Sequence, residues 1–439
     1  MLEIIESTVS YMSSLLWGPP LLILLFGTHI FLTIQLRGVQ FRTLPLAFKI
    51  VFSKSEQKGD LSHFSSLMTS LAATVGIGNI VGVATAITLG GPGAVFWMWL
   101  TAIFGMATKY SEALLAVKYR ESGPNGMRGG PMYYIAKGAG IPWLGKVFAV
   151  CTFFAAFGIG NMVQANSTSS IFLNVFNIPT AWTGGILAIL AGLVIVGGIK
   201  SIGRFASFFV PSMILLYLST VILILIFRIE EVPSAFALIF NHAFSGHAAS
   251  GGFIGATMAA AIRFGVARGL FSNEAGLGSA PIVAAVAKTN DPVRQALVSM
   301  TGTFIDTIII CTLTALVILT TDVWTSGISA ADLTSKSIGV TFGAIGETIV
   351  AICTALFAFS TLIGWSYYGE KAIEFLFGSQ VVKLYRIIFT CLIFVGATMT
   401  LSFVWNFSDL MNGMMVIPNL IGILLLVKIL KSETNRFFK

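Results

Sequence analysis

In the run TVGIGNIVGV (74–83), Gly76, Gly78 and Gly82 and the lone amide Asn79 interrupt an otherwise apolar stretch. Membrane helices admit glycine for close packing, and Gly78 and Gly82 have the four-residue spacing of that use. A second interruption, RFGVARGLFSNEAGLG (263–278), shifts the balance, with Gly265, Gly269, Gly276 and Gly278 beside Arg263, Arg268 and Glu274. Two apolar helices that unwind release backbone amides and carbonyls, which are tolerated in a bilayer only where they line a cavity. Amides at the start of a half-helix attract a carboxylate; freed carbonyls attract a cation or an ammonium. The chemistry on offer is the holding of a zwitterion beside a metal cation.

Other polar residues within apolar stretches are candidates to complete such a site. In STLIGW (360–365), Thr361 and Trp365 are four apart on one helical face. The indole would close over a small side chain, although a spanning tryptophan is also a common interfacial anchor. Gln164, with Asn161 and Thr168 about a turn away on either side, would orient an amino or carboxylate group. Phe264 and Gly265, at the second interruption, would supply a ring and a carbonyl. Lys109 and Glu112 are expected to pair with each other on one helix. Asp306 falls ~18 Å into its helix at the helical rise and is expected to pair with an arginine of the second interrupted helix. Glu347 has no evident partner and is the natural candidate for a coupled proton. Catalytic chemistry finds no constellation: His29, His63, His242 and His247 include no metal-ligand pair at helical spacing, and no phosphate-binding loop is present. Cys151, Cys311, Cys353 and Cys391 match neither a disulfide framework nor a zinc site.

The elements that must position these residues are membrane helices. Only 10% of the 439 residues are charged and 56% are hydrophobic, with mean hydropathy +0.90, against about 25% charged in soluble domains. Runs near the ~20-residue spanning length recur from end to end. The reading is an all-α polytopic protein with eleven spans: 16–36, 64–89, 94–118, 144–172, 180–198, 203–227, 249–287, 294–320, 337–369, 382–402 and 407–430. The formal charge of +8 does not point to nucleic acid, because all but five of the 26 lysines and arginines fall on one side of these spans. Arg228 and Lys336 lie opposite; Lys109, Arg263 and Arg268 lie within spans. The basic side is then cytoplasmic, with the N-terminus outside and the C-terminus inside. The first span, helix 0, lacks a basic leader and a small-residue cleavage site and reads as retained. Helices 1 and 6 carry the interruptions and run in opposite directions in two five-helix halves, the pattern of an inverted-repeat transporter. The chain is one transmembrane domain: 1–63 as the extra helix and linker, 64–227 as the first repeat, and 249–430 as the second.

The stretches GGPGAVFWMWLTAIFG (90–105), RGGPMYY and GVARGLFSNEAGLGSAP (265–281) resemble those of the alanine or glycine:cation symporter family. The resemblance extends over nearly the whole chain. It implies a LeuT-type 5+5 inverted repeat with one extra N-terminal helix, moving alanine or glycine with sodium across the cell membrane. It places the unwound part of helix 1 at Ala72–Asn79, so that Thr74, Gly76, Ile77, Gly78 and Asn79 face the substrate with Gln164, Phe264, Gly265, Thr361 and Trp365. Sodium would be held by the carbonyls of Ala72, Val75 and Phe357 and the hydroxyls of Ser360 and Thr361. None of these is a carboxylate, which suits sodium rather than a proton. Ile77 departs from the pattern at a position where threonine is common, which leaves substrate preference open between alanine, glycine and a larger neutral amino acid such as glutamine. No cofactor is expected beyond the coupling ion; the partners are the amino acid, sodium and membrane lipid, for a chain acting as a monomer. Proton coupling and an uncoupled channel are the competing readings.

Overall fold

A computed structural model describes residues 2–53, 57–124, 126–244 and 258–439. The start of the expected helix 6 (249–257) and His247 lie outside the described residues. Among the described residues the regular structure is helical apart from one short hairpin, β1 (Glu121–Gly123) with β2 (Gly126–Arg128). The expected first span, 16–36, is α2 (Pro19–Gln35), and an unexpected helix α1 (Leu2–Leu16) precedes it at an angle of 46°. Gly18-Pro19-Pro20 explains the bend, since the residue before proline is pushed out of the helical region. Next come α3 (Val39–Val51), α4 (His63–Thr74), α5 (Val81–Gly90) and α6 (Ala94–Lys118). A short α7 (Pro131–Tyr133) precedes α8 (Pro142–Phe157), which continues through a π-helical stretch, Gly158–Met162, into α9 (Val163–Phe176). Then follow α10 (Thr180–Ile195), α11 (Gly198–Phe227) and α12 (Val232–Phe244).

The second half contains α13 (Met258–Asn273), α14 (Pro281–Ala284) and α15 (Pro292–Thr303). A π-helical stretch, Phe304–Cys311, joins α15 to α16 (Thr312–Leu319). The last elements are α17 (Ala330–Phe377), α18 (Val382–Thr398), α19 (Leu401–Leu425) and α20 (Val427–Phe437). Starts follow local chemistry: Ser62 accepts from the Ser65 amide at 3.1 Å to cap α4, and Asp291 accepts from Val293 at 2.9 Å ahead of Pro292. The expected 337–369 helix is longer, running 330–377 with a bend at Gly343, whose φ of +58° glycine alone adopts freely. The expected 407–430 helix divides at Leu426 into α19 and α20. In α20, Leu430 is buried whereas Lys428, Lys431 and Arg436 are exposed.

Among the described residues, six helices are long and apolar enough to cross a membrane, or seven if the bent pair is one span. The surface is apolar where lipid would lie, as at Phe208 (80% exposed) on α11 and Leu193 (73%) on α10. Lys109, Glu112, Gln164, Glu274 and Asp306 are instead buried. That inversion is the arrangement a bilayer demands. Helix α6 packs against α13 and α15, and α17 packs against α8 and α9, surrounding the place where the two interruptions meet.

Candidate functional site

The interruption of helix 1 falls among the glycines but is shorter than the expected Ala72–Asn79, because Ala72, Ala73 and Thr74 remain in the helix. Helix α4 stops at Thr74, Val75 and Gly76 are extended, and a single 3-10 turn, Ile77–Asn79, leads to α5. In a continuous helix the amides of Gly76 and Ile77 would bond the carbonyls of Ala72 and Ala73. Here the Gly76 amide donates to Asn79 Oδ1 at 2.9 Å and the Ile77 amide to Gln164 Oε1 at 3.3 Å. The Ala72 carbonyl is thereby released from its helical amide. Ser360 Oγ lies 3.5 Å from the Val75 carbonyl and donates to the Phe357 carbonyl at 2.9 Å; Thr361 Oγ1 donates to the same carbonyl at 3.0 Å. Val75, Phe357, Ser360 and Thr361 therefore come together, with Ala72 one turn before Val75. Neutral oxygens gathered from two helices fit the needs of a hard cation.

Gly76, Gln164 and Thr361 also converge. A Cβ added at Gly76 would lie 2.3 Å from Thr361 Oγ1 and 3.2 Å from Gln164 Oε1. Gln164 is aimed by its own donation to the Ile159 carbonyl at 2.8 Å, five residues back through the π-helical stretch. Its neighbours turn elsewhere: Asn161 bonds the Phe389 carbonyl and Thr168 the Gln164 carbonyl. Trp365, one turn beyond Thr361, is fully buried; a Cβ on Gly160 would meet its Cβ at 2.2 Å. Its indole Nε1 donates to Glu274 Oε1 at 2.8 Å.

The interruption of helix 6 is displaced from its expected place. Helix α13 runs unbroken through Phe264 and Gly265 and ends at Asn273; the backbone leaves the helix at Glu274, Gly276 and Gly278, all with positive φ. Gly265 serves close packing, since a Cβ there would lie 2.4 Å from the Ala94 carbonyl and 2.6 Å from the Trp97 Cβ on α6. Phe264 borders a cavity of about 710 Å³ with Arg263, Arg268, Trp405 and Asp409. The two interruptions touch: a Cβ at Gly78 would lie 3.1 Å from the Phe271 ring and 3.2 Å from the Ser272 Cα.

Two expected charge pairings are replaced by others, and one residue expected to lack a partner has one. Lys109 does not bond Glu112; it donates to the Asn273 carbonyl at 2.8 Å. Glu112 accepts from the Gly276 amide (3.1 Å) and Asn419 (2.6 Å). Asp306 meets no arginine: it accepts from Asn79 (2.7 Å), Ser272 (2.8 Å) and Thr307 (2.7 Å). Arg268 pairs with Asp409 instead, its Nη1 3.1 Å from Oδ1, with the guanidinium 4.9 Å above the Trp405 ring. Glu347 does have a partner, Lys336, at 2.9 Å across the Gly343 bend. The helices choose these partners because an unpaired charge inside the bundle is costly and the released amides and carbonyls of the breaks are the nearest neutralising groups. Ser272, Asn273 and Glu274 thus join the site. The acidic and amide letters beside AGLG were visible in the sequence, but their partners were not.

Comparisons with known proteins identify the family. The profile of the sodium:alanine symporter family matches residues 2–439. The sodium/alanine symporter AgcS of Methanococcus maripaludis is 52% identical, over 98% of this chain and 97% of its own. The probable sodium/glutamine symporter GlnT of Bacillus subtilis is 40% identical, over 98% and 90%. In three dimensions the chain is similar to MhsT, solved in complex with L-phenylalanine, with a TM-score of 0.62 and 16% identity over 84% of this chain and 90% of that one. The likeness to MhsT shows a shared fold. Interrupted helices, a bilayer-matched surface and homology along the whole length lead to one conclusion: this chain is a multi-pass membrane transporter belonging to the sodium:alanine symporter family.

Proposed function

We propose that the protein carries small neutral amino acids, alanine and glycine, into the cell with sodium by alternating access. The observation that carries this reading is the set of neutral oxygens at the helix 1 break, from Ala72, Val75, Phe357, Ser360 and Thr361, beside the junction of Gly76, Gln164 and Thr361. Sodium would sit among the former. The amino acid would lie against the released backbone of Thr74–Asn79, with Gln164 orienting a terminal group and Trp365 limiting the side chain. Phe264 and Gly265 stand further from that junction, on the outer part of α13.

The architecture proposed is the LeuT-type 5+5 inverted repeat with one extra N-terminal helix, eleven spans in one domain (1–63, 64–227 and 249–430). The N-terminus would be outside and the C-terminus cytoplasmic, with the chain working as a monomer in lipid and needing no cofactor beyond the ion. A larger neutral amino acid is the second reading, favoured by the relative described as a probable sodium/glutamine symporter. Proton coupling is the third, because Asp306 places a carboxylate against Asn79 at the first break. Alanine uptake into proteoliposomes under a sodium, a potassium or a pH gradient separates these. Accumulation above the external concentration, lost without sodium, supports the proposal; uptake that never exceeds equilibrium indicates a channel.

A further inference from the structure

Trp365 has one polar tether. Its indole Nε1 donates to Glu274 Oε1 at 2.8 Å, and the other carboxylate oxygen accepts from Ser279 Oγ at 2.5 Å. Both side chains are fully buried. Glu274 is the first residue after α13 and adopts φ +58°, a conformation rare for a residue with a Cβ and kept only where surroundings impose it. Those surroundings are well defined. The Glu274 amide is held by the Leu270 carbonyl at 2.8 Å, and the Ala275 amide by Asn273 Oδ1 at 2.9 Å. From α6, Lys109 bonds the Asn273 carbonyl and Glu112 the Gly276 amide. The carboxylate is thus carried on a break anchored from both sides.

The indole faces the opposite situation. Its Cβ rests on Gly160, which offers no side chain, and Tyr368 meets the ring edge-on with centroids 5.2 Å apart. Apolar packing of this kind is weakly directional, so the tilt of the ring depends on the N–H···O contact. We propose that Glu274 is a positioning residue: through its bond to the indole it sets the angle of Trp365 and, with it, the largest amino-acid side chain the site accepts. The bond also ties the helix 6 break to α17, so a shift of the break is felt at the side-chain end of the substrate. This inference rests on the reading that Trp365 faces the amino acid.

The test is alanine uptake in reconstituted protein, competed by glycine, serine, leucine and glutamine, for wild type, Glu274→Gln, Glu274→Ala, Trp365→Phe and the Glu274→Ala/Trp365→Phe double variant. Phenylalanine keeps an aromatic ring but lacks the N–H. Trp365→Phe and Glu274→Ala should each strengthen leucine and glutamine relative to alanine by about fivefold, the scale of one hydrogen bond. The double variant should go no more than about twofold further, because both changes remove one shared contact. Glu274→Gln keeps an acceptor oxygen and should hold the wild-type ranking. If Glu274→Ala cannot be produced, Trp365→Phe and Glu274→Gln decide alone: a shift in the first without one in the second supports the tether. An unchanged ranking in Trp365→Phe, or effects that multiply in the double variant, overturns it. Lower yield or maximal rate with an intact ranking would mean Glu274 is only a structural strut. Wild type that takes up no alanine with sodium would instead refute the functional reading; the ranking is then measured on whichever neutral amino acid it carries.

Discussion

Gln164 Oε1 accepts the Ile77 amide at 3.3 Å while Gln164 Nε2 donates to the Ile159 carbonyl at 2.8 Å. One side chain thus takes over from a missing turn of helix 1 and is itself held by the π-helical stretch between α8 and α9. Removing it should expose the amide it serves. Gln164→Ala is expected to cost about 1–3 kcal/mol, the range for a buried group left without its partner. It should lower thermal stability in detergent and raise the alanine KM at least tenfold. A Gln164→Ala protein with wild-type KM would place the residue outside substrate binding.

The sodium proposal predicts separable effects on α17. Ser360→Ala and Thr361→Ala each remove one hydroxyl, worth about 1 kcal/mol, or roughly a fivefold rise in the sodium concentration for half-maximal uptake. The double variant should show a larger rise than either. Alanine uptake at saturating sodium should survive better in Ser360→Ala than in Thr361→Ala, because only Thr361 also touches Gly76. Equal uptake in sodium and potassium, driven by a pH gradient, would point to Asp306 or Glu347 as the coupling group.

Substrate size is expected to follow Trp365. Trp365→Ala should admit bulkier neutral amino acids and weaken alanine by about 1–3 kcal/mol, the scale of steric discrimination by one pocket wall. Charged amino acids should stay excluded, since their side-chain charge would be desolvated without a partner. A packing role alone predicts reduced stability with the order of competitors unaltered.

Orientation can be measured with single cysteines in a chain freed of Cys151, Cys311, Cys353 and Cys391. Ser326 and Ser432 are both exposed, on the short turn before α17 and on α20 respectively. Impermeant maleimide should label Ser326→Cys on intact cells and Ser432→Cys only after permeabilisation. The reverse pattern would invert the topology.

The sequence announced that two helices break, and the break in helix 1 was placed to within a turn, since α4 continues through Thr74 where Ala72 was the expected start of unwinding. Helix 6 was harder, because glycine signals either an unwound backbone or a close approach. Gly265 and Gly269 serve the latter against Ala94 and Met98 of α6, whereas Gly276 and Gly278 take the positive φ of the true break. Charge pairing was the least legible feature. Periodicity relates neighbours three or four apart on one helix, yet Asp306 finds Asn79 at a separation of 227 residues. Glu112 likewise passes over Lys109 for a released amide and for Asn419. Such partners depend on how the helices assemble, which no local pattern encodes.

The amino-terminal helix is joined to the rim of the cavity of about 710 Å³. Ser13 and Trp17 line it with Arg268, and the Trp17 indole donates to the backbone carbonyl of Asp409 at 2.9 Å, on the very residue that pairs with that arginine. The same cavity is walled by Val81 and Thr85 of α5 and by Phe264 and Ala267 of α13, so α1 shares one rim with both broken helices. Were the amino acid to enter by this cavity, truncations, fusions or antibodies directed at this end of the chain would mark the rate of capture rather than how tightly the amino acid is held once inside.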